Sequence, residues 1–142
     1  RGDLPFLDVI RSHDLRICPD ALSTFPRWIT PSIMPTRFDT FFYVAVAPAD
    51  QIATCDGQET VDAEWISPRE ALRLGATGER TIIFPTRLNL ELLAESADPD
   101  DAITRARSRT LVTVEPEVVE SDGVQLFRVP PGAGYSTVAG PM

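Results

Sequence analysis

The run from Phe38 to Ala47 constrains the fold more than any other part of this 142-residue chain. Successive side chains of a strand point to opposite faces. One face of this run would carry Phe38, Thr40, Phe42, Val44 and Val46, and the other Asp39, Phe41, Tyr43, Ala45 and Ala47. Both faces are mostly apolar. Such a strand is expected to be covered on both sides, which favours a layered α/β architecture over a one-sided antiparallel sheet.

The flanking sequence supplies the other elements. Leu4, Phe6, Leu7, Val9 and Ile10 are spaced for a short amphipathic helix over residues 4–13. Residues 21–30 contain Pro26, which cannot donate to a ladder, so they are expected as an edge strand running into a loop. Asp56-Gly57 marks a turn, and Val61 to Ile66 reads as a strand. Ser67-Pro68-Arg69-Glu70 starts a helix, with a capping Ser, Pro at the first helical position and Glu70 placed to close a capping box. A second helix is expected over 85–96. A third begins at Asp98-Pro99-Asp100-Asp101, whose acids suit the positive end of a helix. Two β-rich runs around Asp122-Gly123, within 117–130, form a hairpin signal. Residues 132–142, rich in Gly, Pro and small side chains, read as a flexible tail after a single domain over 1–131.

Length and charge set the outer bounds. The chain is long enough for one domain with a real core and too short for two. Its formal net charge is −8, whereas nucleic acids and anionic membranes call for a basic surface. No nucleic-acid or membrane partner is therefore expected. All 13 basic residues are arginine, which excludes a phosphate-loop or Schiff-base lysine. Cys18 and Cys55 do not make a disulfide framework, so a reducing, cytoplasmic setting is expected. Arg1-Gly2-Asp3 is read as a chance tripeptide. The absence of an initiator Met suggests that the polypeptide begins inside a longer product or was processed.

Several segments together resemble one family. Trp28-Ile29-Thr30-Pro31 is followed by Pro35 and Arg37-Phe38-Asp39-Thr40-Phe41-Phe42. Glu59 and Asp62-Ala63-Glu64-Trp65-Ile66-Ser67-Pro68 come next, then Phe84-Pro85-Thr86-Arg87. In order and spacing these segments resemble the C-terminal part of Nudix hydrolases, in a coenzyme A diphosphatase-like subgroup, over roughly residues 4–131. The resemblance implies an α/β/α sandwich with a mixed sheet, incomplete at its N-terminus. It implies cleavage of diphosphate linkages in coenzyme A-like or other nucleoside diphosphate-linked compounds, with Mg2+ or Mn2+ as cofactor. The family's metal-binding box is not encoded here. The one Arg-Glu pair is Arg69-Glu70, and Arg73 and Leu74 stand where the box needs adjacent glutamates. The isolated chain is accordingly expected to be inactive alone, and to dimerise, aggregate or associate with a missing N-terminal part. A catalytically silent Nudix-like module that binds a nucleotide or a protein is the alternative.

Each candidate residue has a structural reading beside its functional one. Arg37 could hold a phosphate and Asp39 orient it or a metal water; as residues two apart at a strand entrance they could instead form a rim ion pair of little energetic weight. Trp28 and Phe38 could stack on an adenine or belong to the core. Glu59 and Asp62 could supply a base or an extra metal ligand, or form a solvated acidic loop. His13, the one histidine, is read as a surface residue. Arg105, Arg107 and Arg109 are read as favouring the negative end of a helix.

Overall fold

Pro26 lies in the middle of the central strand of a sheet. In this computed structural model, which describes residues 5–50 and 52–141, β1 (Ser23–Ile29) has β2 (Asp39–Val44) on one side and β3 (Thr113–Val114) on the other. The expectation of an edge strand over 21–30 is therefore corrected. The β1–β2 register slips between Thr24 and Arg27, a bulge that takes the missing donor of Pro26 out of the ladder. β1 pairs antiparallel with β2 and parallel with β3, so the sheet is mixed.

One layer covers this sheet. Helix α3 (Phe84–Ala94) starts with Pro in its first turn and buries Phe84, Leu88 and Leu92, spaced four apart along one face. They meet Phe25 and Trp28 of β1 and Val114 of β3. Leu88 and Val114 are fully buried. Each burial of this kind contributes about 1.5–3 kcal/mol. Helix α2 (Pro68–Ala76) packs against α3. Ser67 caps α2 as expected, accepting from the Glu70 N–H at 3.1 Å, while the Glu70 carboxylate turns to Arg73. Helix α4 (Pro99–Ser108) is capped by Asp98, which accepts from the Asp101 N–H at 2.8 Å. Asp101 in return accepts from the Ala97 N–H at 3.0 Å.

The second sheet is antiparallel, in the order β4 (Glu117–Ser121), β5 (Val124–Arg128), β6 (Ala139–Pro141). Asp122 and Gly123 both have positive φ, 52° and 76°, as a two-residue hairpin turn of the I′ kind requires. Residues 132–141 do not form the expected tail. Ala133 and Tyr135 belong to the core, and β6 pairs with β5. Gly140 permits this packing, since a Cβ there would lie 2.7 Å from the Phe84 ring.

The described residues are mixed α/β, with four helices, two small sheets and no barrel. Three further expectations need correction. Phe38 to Ala47 is not covered on both sides, for Phe38, Phe41, Tyr43 and Val46 are all exposed. Residues 61–66 form no strand, and Trp65 is 78% exposed, because no neighbour pairs with them among the described residues. Helix α1 (Phe6–Ser12) buries none of its side chains. Arg1-Gly2-Asp3 lies outside the described residues. No described helix is long and apolar enough to cross a membrane.

Candidate functional site

A cleft of about 860 Å3 opens between the first sheet and the α2–α3 pair. The strand period builds one wall: Trp28 and Thr30 on β1 and beyond, with Phe38, Thr40 and Phe42 on and before β2, alternate onto this face. Leu72 and Gly75 of α2, Ile82 of the linker, and Phe84 of α3 form the opposite wall. Gly75 lets the linker approach closely, since a Cβ would lie 3.0 Å from Ile82. Phe127 and Pro141 of the second sheet close one end.

The lining is chiefly apolar and aromatic, and its two charged members are Arg87 and Glu91. They face each other at 3.9 Å, one helical turn apart. Arg87 also lies over the Phe84 ring, 5.6 Å from its centroid. Among the described residues its guanidinium is ion-paired with Glu91 but makes no side-chain hydrogen bond. Arg87, in the segment Phe84-Pro85-Thr86-Arg87 that carries part of the family resemblance, is not among the candidate residues the sequence singles out. A signal was present: a cation in the first turn of a helix stands against the helix dipole and needs some other reason to be there.

Trp28 is buried and serves as both wall and core. Its Nε1–H donates to the Tyr135 hydroxyl at 2.9 Å, and that hydroxyl donates to Asn89 Oδ1 at 2.8 Å. Its ring meets Phe84 edge to face at 6.1 Å. Burial pushes the Tyr135 hydroxyl up to about 12. Phe38 is exposed at the mouth of the cleft.

Arg37 and Asp39 are not brought together. Arg37 Nε donates to the Thr30 carbonyl at 2.9 Å, and its other arm reaches Glu115 at 2.9 Å. Asp39 is gripped by both arms of Arg27 from the neighbouring strand. The hydrogen bond from Arg27 holds the Asp39 carboxyl below the usual carboxylate range. Neither Arg37 nor Asp39 lines the cleft. The expected Arg37–Asp39 rim pair is replaced by two separate pairs. Arg37 precedes β2, so the alternation argument did not apply to it.

Glu59 and Asp62 are exposed in the irregular segment 52–67 and do not line the cleft. Neighbouring Asp56 organises that segment by accepting from Gln58 N–H at 3.0 Å and Thr60 N–H at 2.9 Å. These backbone bonds, that of Thr60 first, lower its pKa. Among the described residues no three His, Cys, Asp or Glu side chains gather where they could hold a metal ion. Among the described residues His13 bonds only within its own helix turn, to Ser12 and the Val9 carbonyl. Arg105 pairs with Asp101, Arg107 reaches Ser23 and the Asp20 carbonyl, and Arg109 pairs with Glu95.

Comparison with known proteins returned nothing: no family model, curated protein or solved structure matches the chain.

Proposed function

We propose that this chain forms the substrate-holding part of a Nudix-type hydrolase of α/β/α architecture, acting on coenzyme A-like or other nucleoside diphosphate-linked compounds in the cytoplasm. The observation that carries the reading is the aromatic cleft with one guanidinium. Trp28 and Phe38, read from the sequence as substrate-binding, both line it. A largely apolar cleft of this size, with few polar groups, is the usual form of a small-molecule site. In this reading the aromatic walls hold the organic limb of the ligand. Arg87 then binds a phosphate oxygen with a charge-assisted hydrogen bond. Mg2+ or Mn2+, implied only by the resemblance, would supply Lewis-acid polarisation of a phosphate and a more acidic water. The carboxylates described here do not fit that role, so the chain's own contribution is binding and orientation. The same misfit favours the second reading, a catalytically silent module that binds a nucleotide.

Tryptophan fluorescence tests the binding. Trp65→Phe leaves Trp28 as the sole tryptophan. Coenzyme A and ADP-ribose should give a saturable change in emission. Arg87→Ala should weaken them by about 10- to 100-fold, the loss expected for a hydrogen bond to a charged group, while affinity for adenosine holds. No saturable change at millimolar ligand, or equal weakening for adenosine, would refute the reading.

A further inference from the structure

β2 ends the first sheet, and among the described residues nothing pairs with its outer edge. The Thr30 N–H donates to the Phe38 carbonyl, so the even-numbered residues turn their backbone groups toward β1. By antiparallel alternation Asp39, Phe41 and Tyr43 turn theirs outward, to an unpaired edge. Natural edge strands are blunted by Lys, Pro, bulges or unanswered charge. β2 has no Lys and no Pro, and the bulge falls in β1. Its one charge, on Asp39, is answered by Arg27. Two aromatic side chains stand on the face away from the cleft, Phe41 at 52% and Tyr43 at 54% exposure.

We propose that β2 pairs antiparallel with β2 of a second copy of this chain, about a twofold axis at Phe41, joining two three-stranded sheets into one of six strands. Register argues for a second copy over an arbitrary strand. A twofold normal to the sheet keeps each face on its own side, so odd-numbered residues must meet odd-numbered residues. Centring on Phe41 keeps the pairs made by the outward-turned residues, 41 with 41 and 39 with 43, within Asp39–Val44. Phe41 then meets Phe41, in the closely bonded arrangement that exchanges two hydrogen bonds. Asp39 falls opposite Tyr43 of the second copy, twice by symmetry. The Tyr43 hydroxyl there can donate to a carboxylate that Arg27 already holds ionised. The Arg27 guanidinium, 4.9 Å from the Phe41 ring centroid, backs the aromatic pair on each side. The contact therefore complements itself in backbone bonds, charge and aromatic surface.

Two consequences separate this contact from general stickiness. Each copy carries a net charge of −8, so repulsion opposes approach at low ionic strength and is screened over ~8 Å at 0.15 M salt. Dimerisation should strengthen with salt. The interface is a small one, of the transient class below ~1,200 Å2, so it should depend on concentration. It is also separate from the cleft, which is lined by the opposite face of β2, and so does not rest on the proposed ligand.

Sedimentation of the whole chain across micromolar to millimolar concentrations, at low and high salt, tests the pairing. A monomer–dimer equilibrium that shifts to dimer with concentration and salt is expected. Phe41→Lys should abolish it without lowering the melting temperature, because Phe41 is half exposed. Crosslinking gives a second arm that does not depend on that variant folding. In a Cys18→Ser, Cys55→Ser background, Phe41→Cys should oxidise to a covalent dimer. Directly opposed bonded residues have Cα atoms ~5.5 Å apart, within disulfide range. Val46→Cys, equally exposed but far from the axis, should not. A monomer at every concentration, as a segment of the same chain lying on β2 would give, overturns the proposal. So does a dimer unaffected by Phe41→Lys, or equal crosslinking at position 46.

Discussion

Replacing Tyr135 by Phe removes one oxygen atom and should cost the fold about 2–6 kcal/mol. The hydroxyl sits in a buried relay, accepting from Trp28 Nε1 and donating to Asn89 Oδ1. Its removal strands both partners. Asn89 is already short of one, since its Nδ2 has none among the described residues. Each newly unpaired buried group costs about 1–3 kcal/mol, and two give the range stated. The ring and its contact with Trp28 at 5.6 Å remain, so little packing is lost with the oxygen. Against the 5–15 kcal/mol typical of a whole domain this is a large fraction. Urea unfolding followed by circular dichroism should show a lower midpoint with an unchanged slope. Alkaline titration supplies the second signature. Burial raises the Tyr135 pKa from 10.0 to about 12. The neutral hydroxyl therefore contributes stability that is complete below pH 10 and lost as pH rises through about 12. The chain has no lysine, so no amine side chain titrates in that window to mask the loss. Tyr135→Phe should lack this alkaline slope. A variant within ~0.5 kcal/mol of wild type, with the slope retained, would mean that water already serves these groups and that the relay does not hold residues 132–141 to the core.

Leu88→Ala, at a fully buried position, should cost about 2–5 kcal/mol in the same urea assay. Asp98→Ala removes the α4 cap and should cost about 1 kcal/mol. Gly140→Ala would place a methyl 2.6 Å from Arg87 and 2.7 Å from Phe84. It should lower stability by about 1–3 kcal/mol, and a chemical-shift map should show the disturbance at the cleft end. Arg27→Ala should raise the pKa of Asp39 in an NMR titration. Asp39 stabilises the fold above its ordinary pKa, and this is lost as pH falls through the lowered value. An unmoved Asp39 titration would show that the pair does not persist in solution.

What the sequence made legible was local. The caps at Ser67 and Asp98 each lie within one helical turn of the N–H they serve. The hairpin turn needs two adjacent residues that tolerate positive φ, and Asp122-Gly123 supplies them. Pro26 misled because the rule against proline in central strands has a second solution, the bulge, which depends on where the partner strand slips. The centrality of β1 also rests on β3, a two-residue strand far along the chain and too short to leave a periodic signal. Residues 61–66 show the converse. They have a strand-like pattern and no described neighbour to pair with, and a lone strand has no ladder to hold it.

The site divides along the same line. Trp28 and Phe38 were legible because an aromatic side chain beside a strand either joins a core or lines a cavity, and here Trp28 does both. The pairing of Arg37 and Asp39 was inferred from spacing, yet each had a closer opposite charge on another element. Glu115 lies 78 positions from Arg37 in sequence, and Arg27 is a cross-strand neighbour of Asp39. Spacing fixes direction only inside a regular element, whereas charge partners are chosen by the assembled fold. Arg87 illustrates what a sequence does carry. A residue that its own helix does not favour draws attention to a neighbour outside that helix, and the structure puts the cleft there.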